Sequence, residues 1–194
     1  MSLAIEHPKG IIDMWEREEI IGGVKYLAPR PTTDHIETGD NLSLLFKGYL
    51  WDKKCRFLSE PLVVLTPADK VVPDGVVVCD FNKIKADGIH GAPDIVMEIL
   101  SPSTKKRDRS QKKDMYERCG VQEYWIVDVK SRTIEVYLLN EGKYYLDNIY
   151  QVLEDWQLDM MSDADRAEVE YEFKTHLFDD LIIDVRDVFR NIIN

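Results

Sequence analysis

The sequence predicts an α/β fold in which a mixed β-sheet is flanked by helices. Short segments rich in valine and isoleucine are followed by a helical segment and then by further strand-like segments, an order typical of such a sheet. The chain has 194 residues, of which 44% are hydrophobic and 31% charged, a composition typical of a folded globular protein. We expect a single domain over residues 1–194, with a core from about 16 to 149 and an acidic C-terminal extension over 150–194.

The N-terminal part is predicted to form a β-hairpin and then a long helix. Two short apolar segments flank Gly22-Gly23, and paired glycines are typical of the tight turn of a hairpin. The Thr-Thr-Asp sequence at 32–34 supplies candidate caps for a helix that runs to about Leu50. Its apolar residues recur at the three- and four-residue spacing of one helix face.

The central part of the chain is predicted to form strands followed by one helix. Three short apolar segments are predicted strands: residues 56–65, 71–79 and 94–100. A loop over 81–93 separates the last two. The sequence SPST at 101–104 ends the third strand, and a helix then runs from about Lys105 to Cys119. Gly120 ends it, as glycine commonly does just past a helix C-terminus.

The C-terminal part adds further strands. EYWIVDV at 123–129 is a predicted strand, and the alternating segment 133–139 is expected to pair with it across a short turn. Residues 144–146 are a candidate for another strand. The segment LIIDVRDVF at 181–189 is predicted to be a strand that enters a final helical turn.

The net charge of −11 argues against nucleic acid as a partner, but the charge is unevenly distributed. Residues 150–194 hold 12 acidic and 4 basic residues, a balance of −8, so the preceding 149 residues carry only −3. The segment 103–119 holds seven basic and three acidic residues, a balance of +4. A local basic segment of this kind can contact phosphates even in an acidic protein.

Cysteine usage and hydropathy predict a cytoplasmic protein. Cys55, Cys79 and Cys119 are far apart and show no metal-ligand spacing, and an odd number of cysteines without a secretion signal indicates reduced thiols. The first ten residues lack a basic segment followed by an apolar stretch. No apolar run approaches the roughly 18–20 residues of a membrane-spanning helix, so we expect no membrane association.

Two carboxylates interrupt apolar strand patterns. Asp74 lies between two valine-rich segments, and Glu98 lies inside DIVMEIL. Burial of a carboxylate is costly without a partner, and two carboxylates at the ends of adjacent strands suit a hard cation such as Mg2+. As alternatives, Asp74 is a turn residue of a Pro-Asp-Gly sequence, and Glu98 faces water on an edge strand.

Lys112 is a candidate partner for these carboxylates. It lies four residues after Asp108 and four before Tyr116, so the three share one face of the predicted helix. Its ammonium group could orient water or stabilise developing negative charge. Alternatively, the side chain reaches the helix edge and is solvated. Lys113 points elsewhere and is expected to be exposed beside Glu117.

Four segments carry a resemblance to a known family: PDGVVVCD, GAPDIVMEILSPST, DRSQKKDMY and CGVQEYWIVDV. In this order and spacing they resemble the Uma-two family of the PD-(D/E)XK restriction-endonuclease-like superfamily. The resemblance covers roughly Glu16 to Tyr145 and implies a restriction-endonuclease-like core. It makes Asp74 and Glu98 the metal-binding acids.

The superfamily pattern places a lysine two residues after the second acid, where this chain has Leu100. In this family the lysine has moved to the following helix, to the position of Lys112.

The same resemblance suggests further site residues. His35 matches a histidine of the family's first helix, which could bind phosphate or a metal-bound water, or could be structural. Glu19 matches a family glutamate in the hairpin and is a candidate for a further acid near the metal. Tyr116, Tyr124 and Trp125 are expected to be core aromatics rather than platforms for bases.

The resemblance implies a metal-dependent DNA endonuclease with Mg2+ or Mn2+ as cofactor and no organic cofactor. The basic stretch from Lys105 to Lys113 would contact the DNA backbone, and a homodimer is expected because cleavage of both strands needs two sites. The acidic tail should lie away from the site, because it would repel phosphates. The alternative is a catalytically inactive nucleic-acid-binding or structural module on the same fold, which Leu100 and the acidic surface favour.

Overall fold

Two mixed six-stranded β-sheets form the framework of the protein. The computed structural model describes residues 17–28 and 30–193, so Glu16, at the start of the predicted core, lies outside the described residues. The predicted combination of mixed sheet and helices is confirmed. The strands divide between two sheets, however, where the sequence indicated one.

The first sheet is built from short strands of the N-terminal half, in the order β2-β1-β5-β4-β8-β7. Its strands are β1 (Arg17–Ile21), β2 (Val24–Ala28), β4 (Val63–Thr66), β5 (Asp69–Val71), β7 (Ile84–Lys85) and β8 (Gly88–His90). The predicted hairpin is confirmed, since β1 and β2 pair antiparallel across Gly22 and Gly23, which have φ of 57° and 80°. Among the described strands of this sheet, β4 and β8 are the parallel pair.

The second sheet has the strand order β12-β11-β10-β9-β6-β3. Its strands are β3 (Arg56–Ser59), β6 (Gly75–Val78), β9 (Ile95–Ile99), β10 (Glu123–Asp128), β11 (Thr133–Asn140) and β12 (Lys143–Gln151). Strands β9 and β10 are parallel, and the chain between them forms a helical crossover. Such a crossover places a helix against one face of the sheet.

Three sequence-based assignments in this region are wrong. The predicted strands 56–65 and 71–79 each divide between the two sheets, because Pro61 and Pro73 lie at the breaks and cannot donate to a ladder. The predicted loop 81–93 contains a 3₁₀ turn (Phe81–Lys83) and the β7-β8 hairpin. These strands have two and three residues, too few for a readable periodicity.

The long helices agree with the prediction. Helix α1 (Thr33–Leu50) begins after Thr32, whose side chain accepts a hydrogen bond from the His35 backbone N–H. The crossover comprises α2 (Lys105–Arg107), a π-helix (Asp108–Lys112) and α3 (Lys113–Cys119). It ends at Gly120, with φ of 82°. Within the described ranges, no helix is long and apolar enough to cross a membrane.

The C-terminal tail forms short elements. They are α4 (Asp155–Asp159), α5 (Asp163–Ala167), β13 (Glu172–Lys174), β14 (Ile182–Asp184) and α6 (Val185–Val188). Strand β14 followed by α6 confirms the predicted strand and helical turn near residue 185. Apolar side chains of β13, β14 and α6 join the same buried cluster as α1 and one face of the second sheet. The single-domain organisation itself stays a prediction.

Alternate residues of the central strands face two different clusters. On β9, Ile95, Met97 and Ile99 face the cluster formed with α1 and the tail. Val96 belongs to the opposite cluster, which includes side chains of α3 and of the first sheet. Because successive side chains of a strand point to opposite faces, Glu98 lies on the same side as Val96. The fold therefore directs this carboxylate towards the crossover helices.

A buried carboxylate attaches the tail to the second sheet. Glu123, at the start of β10, accepts hydrogen bonds from Trp125 Nε1 at 2.7 Å and from the backbone N–H of His176 at 2.9 Å. Phe173 also stacks on Tyr150, with ring centroids 4.2 Å apart. Burial raises the pKa of Glu123 to about 7, although the two hydrogen bonds favour its ionised form.

The expectation of three reduced thiols is wrong, because Cys55 and Cys79 form a disulfide. Strands β3 and β6 pair antiparallel with Arg56 opposite Val78, so the residues just outside this pair lie across from each other. That register could not be read from a sequence separation of 24. Cys119 is free. The cytoplasmic location stays a prediction, and structural disulfides are rare in that compartment.

The raised pKa of Glu123 predicts a pH-dependent stability. The native state holds the Glu123 proton more tightly than the unfolded state, so the contribution to stability is largest below about pH 4.5. It is lost as the pH rises to about 7, by up to about 3 kcal/mol. Urea unfolding of the wild type and of Glu123→Gln should therefore show the wild type losing stability relative to the variant between pH 5 and 8. The exposed substitution Glu168→Gln is the control, and an equal pH dependence in all three proteins would contradict the prediction.

Candidate active site

A small cavity lies where the chain passes from the first sheet to the second. Its volume is about 50 Å³. All five predicted site residues line it: Glu19, His35, Asp74, Glu98 and Lys112. They come from β1, from α1, from the turn between β5 and β6, from β9 and from the crossover. The cavity therefore assembles residues that are far apart in the sequence.

The ammonium group of Lys112 lies among three carboxylates. Its Nζ is 2.8 Å from Glu19 Oε1, 2.9 Å from Glu98 Oε1 and 3.8 Å from Asp108 Oδ1. Lys112 is only 3% exposed. Burial alone would lower its pKa, but the neighbouring carboxylates outweigh burial and raise it above its usual value. Lys112 is therefore a permanent cation rather than a proton acceptor at neutral pH, and the solvated alternative is excluded.

A π-helix supplies Lys112 and Asp108 to the cavity. These residues are its last and first positions, and both are buried. Such wider turns are rare in proteins overall, but they occur frequently at functional sites, because they redirect side chains relative to a regular α-helix. Burial raises the pKa of Asp108, and its Oδ1 has no hydrogen-bond partner within the described part of the chain. The sequence placed Asp108 on the correct helix face but gave it no role.

Glu98 is held by two donors from the crossover. Lys112 Nζ lies 2.9 Å from Glu98 Oε1, and the Tyr116 hydroxyl donates to the same oxygen at 2.6 Å. Burial raises the pKa of Glu98 well above its usual range, and the charge of Lys112 opposes that effect. The edge-strand alternative is wrong, because β9 is central and Glu98 is 3% exposed. Tyr116 was expected only as a core aromatic; it is fully buried, and its hydroxyl also enters the site.

Asp74 ties α1 to β9. Its Oδ2 accepts a hydrogen bond from the backbone N–H of Ile99 at 2.6 Å, and its Oδ1 lies 2.9 Å from His35 Nε2. Asp74 follows Pro73 as expected of a turn residue, but its side chain is committed to the cavity. Since Ile99 follows Glu98 directly, the bond to β9 brings the carboxyl groups of Asp74 and Glu98 to one cavity.

Glu19 links the hairpin to the rest of the site. Besides Lys112, its Oε1 accepts a hydrogen bond from the backbone N–H of Val72, two residues before Asp74. Its Oε2 lies 3.7 Å from an Arg107 guanidinium nitrogen, and that guanidinium covers the ring of Tyr26 at 4.2 Å. Glu19 is 2% exposed. These contacts make Glu19 first a clamp between the first sheet and the crossover.

The donor set of the cavity fits a hard divalent cation. In the described ranges no group of three or more His, Cys, Asp or Glu side chains is arranged to hold a metal ion. Mg2+ does not need one, because it is commonly held by one or two carboxylates together with water and phosphate oxygens. Asp74 and Glu98 supply two carboxylates beside Asp108 Oδ1, which accepts no hydrogen bond from a described residue. With Glu19, four acidic side chains and one buried ammonium group line the cavity, so the cavity favours an additional positive charge.

Four of the seven basic residues of the crossover, those before the lysine of the cavity, fall into two groups. Arg107 and Arg109 are committed to contacts within the protein, Arg107 near Glu19 and Arg109 with Glu135. Lys105 and Lys106 are exposed, and neither forms an ion pair with a residue that the structure describes. They are therefore the cations of this segment that are available to a partner.

The prediction for Lys113 is wrong. Its ammonium group lies over the ring of Tyr137, 3.7 Å from the centroid, and the residue is half-buried. Glu117 instead pairs with Lys143 at 2.7 Å and accepts a hydrogen bond from the backbone N–H of Tyr144. A neighbouring strand thus supplies partners that helix spacing alone could not indicate.

The acidic tail lies away from the cavity, as expected, because no described residue from 150 to 193 lines it.

Comparisons with known proteins place these observations in a family. The family model described as "Uma2: Putative restriction endonuclease" matches residues 9–167, more than half of the chain. A relative from Synechocystis sp. (strain ATCC 27184 / PCC 6803 / Kazusa), "Uncharacterized protein slr1290", is 28% identical over 146 residues, covering 74% of this chain and 77% of the relative. A solved structure described as a putative nuclease belonging to DUF820 from Anabaena variabilis ATCC 29413 has a TM-score of 0.61 and 18% identity over 89% of each chain. At that identity, the solved structure supports the fold alone.

The carboxylate cluster predicts that the two adjacent lysines differ strongly in their effect on stability. Lys112→Ala would leave three buried carboxylates without their cation, which should cost about 3–5 kcal/mol. Lys113→Ala removes the cation–π interaction with Tyr137 and should cost about 1 kcal/mol or less. Urea unfolding at neutral pH measures both values. Similar losses of stability in the two variants would show that Lys112 is not the cation on which the cluster depends.

Proposed function

Because this chain belongs to the Uma2 family of putative restriction endonucleases, we propose that it is a metal-dependent endonuclease of the PD-(D/E)XK type that hydrolyses phosphodiester bonds of DNA. The observation that carries the proposal is the convergence of Asp74, Glu98 and Lys112 on one cavity. We further propose that the enzyme works as a homodimer in the cytoplasm, since cleavage of both strands needs two sites.

In this proposal, Asp74 and Glu98 hold a Mg2+ or Mn2+ ion. When bound, the ion supplies Lewis-acid chemistry: it activates water and neutralises charge on the scissile phosphate. The hydrogen bond from the Ile99 N–H fixes Asp74 against β9. His35 holds the other oxygen of Asp74 at 2.9 Å, so its proposed role is to orient that carboxylate.

Lys112 acts as an electrostatic group in this scheme. Its raised pKa keeps the ammonium group charged at neutral pH, which suits stabilisation of a phosphate transition state and does not suit general base catalysis. Leu100 stands where the superfamily has a lysine, and it packs in the core. The 2.9 Å contact of Lys112 with Glu98 supports the idea that the lysine is supplied from the helix instead.

The second candidate is a catalytically inactive module that binds nucleic acid or has a structural role. The contacts of Lys112 with Glu19, Glu98 and Asp108 favour it, because a lysine that only neutralises buried carboxylates stabilises the fold without any reaction. The two candidates differ in one measurement, which is cleavage that depends on both a divalent cation and Asp74.

The nuclease proposal predicts that Asp74→Asn abolishes cleavage while the protein stays folded. Supercoiled plasmid is incubated with Mg2+ or Mn2+, and nicking and linearisation are followed over time. The rate should fall by roughly 100-fold or more, since a catalytic metal supplies several kcal/mol of transition-state stabilisation. Asp52→Asn, an exposed substitution just after α1, is the matched control. Metal-dependent cleavage that persists at the wild-type rate in Asp74→Asn would eliminate this site, and absence of cleavage by the wild type would favour the inactive module.

The exposed lysines of the crossover predict a salt-dependent contribution to DNA binding. Lys105→Ala with Lys106→Ala should weaken binding to DNA of any sequence, because interactions with the DNA backbone carry no sequence information. The slope of log K against log salt should fall in magnitude by about 0.9 for each phosphate that the variant no longer neutralises. Fluorescence anisotropy in Ca2+ without cleavage measures this slope, with Lys174→Ala on the tail as the control. An unchanged slope would place the DNA on another surface.

A further inference from the structure

We propose that Tyr116 is a positioning residue that, together with Lys112, fixes the carboxylate of Glu98 by one oxygen and leaves the other oxygen for a cation. The inference rests on the proposed function, because it concerns how the metal-binding carboxylate is oriented. In the sequence, the place of this tyrosine in an apolar helix face indicated only packing.

The geometry of the two donors carries the inference. Tyr116 Oη lies 2.6 Å from Glu98 Oε1 and Lys112 Nζ lies 2.9 Å from the same atom. Among the described residues, both side-chain donors to Glu98 go to Oε1 and none goes to Oε2. The carboxylate is thus held on one side only. Since Mg2+ and Mn2+ bind carboxylates readily through a single oxygen, the open oxygen is the one suited to a cation.

The tyrosine is well placed to hold this orientation. Its side chain is fully buried, and its ring lies 5.1 Å from that of Tyr124 in the cluster between the crossover and the second sheet. Lys112 and Tyr116 are four residues apart, so both donors come from one face of the crossover. A packed aromatic ring has little rotational freedom, and its hydroxyl therefore defines a fixed point for Oε1.

Removal of the hydroxyl would leave Lys112 as the only donor to Glu98 among the described residues. The carboxylate could then rotate and present either oxygen, or both, to the ammonium group. The ammonium group would then compete with a divalent cation for the same carboxylate oxygens. Partners that orient a metal ligand in this way typically change metal affinity by 10- to 100-fold when they are removed.

The test compares two buried tyrosines that each lose one hydroxyl. Tyr116→Phe removes the donor to Glu98, whereas Tyr124→Phe removes a donor to the backbone oxygen of Asp108, at 3.0 Å. Both residues are fully buried, so the two variants are matched in burial and in chemistry. Calorimetric titration with Mn2+ alone, without DNA, should give an affinity about 10- to 100-fold lower for Tyr116→Phe. Tyr124→Phe should stay within about twofold of the wild type.

Cleavage gives a second readout that a purely structural role would not move. Plasmid cleavage by Tyr116→Phe should recover towards the wild-type rate as Mn2+ is raised, because only metal occupancy is impaired. Equal losses of Mn2+ affinity in the two tyrosine variants, or a wild-type affinity in Tyr116→Phe, would overturn the role of Tyr116. If the wild type itself binds no Mn2+, the proposed metal site fails as well, and the two failures are thereby distinguished.

A second substitution covers the case in which Tyr116→Phe does not fold. Fluorotyrosine at position 116 keeps the ring and makes the hydroxyl a stronger donor to Glu98 Oε1. The Mn2+ affinity should then rise relative to the wild type, because Glu98 is held more firmly by Oε1. The same substitution at position 124 is the control. An unchanged affinity would assign Tyr116 to stability alone.

Discussion

The structure depends on the neutralisation of buried negative charge by one ammonium group. Lys112 lies within 4 Å of carboxylates from β1, from β9 and from its own helix. Removing ions from water is expensive, and only close partners offset that cost. The hairpin, the central strand and the crossover must therefore keep fixed distances from one another. If any of these distances increased, a carboxylate would be buried without its cation. The geometry of the site therefore also fixes how the two sheets pack.

Much of the fold follows from local sequence, and the exceptions have physical causes. The β1-β2 hairpin and α1 carry their signals within a few residues, in the glycine pair and in the cap at Thr32. The division of strands between two sheets does not, because register and partner choice depend on residues far away in sequence. The disulfide between Cys55 and Cys79 is the sharpest case, since antiparallel pairing alone brings these cysteines together.

The candidate site shows the same distinction. Asp74, Glu98 and Lys112 stood out because each is a polar residue in an apolar pattern, a local property of the sequence. Tyr116 did not stand out, since a tyrosine suits an apolar helix face and its hydroxyl contact is visible only in three dimensions. The resemblance named Glu19 as a candidate acid near the metal, but its role as a clamp was equally hidden. Its partner Lys112 lies in a distant part of the sequence, and only the packing of the crossover against the first sheet reveals the contact.

The distance between Glu19 and Lys112 along the chain has a consequence during synthesis. Chains grow from the N-terminus at about 5–20 residues per second and domains fold as units. Glu19 and Asp74 therefore leave the ribosome seconds before the lysine that neutralises this cluster, and they stay hydrated until it arrives. A nascent chain that ends before the crossover has no assembled cavity. Strand β14 and helix α6 emerge after the crossover and complete the apolar cluster on α1, so a ribosome-bound intermediate must shield that face until they have been synthesised.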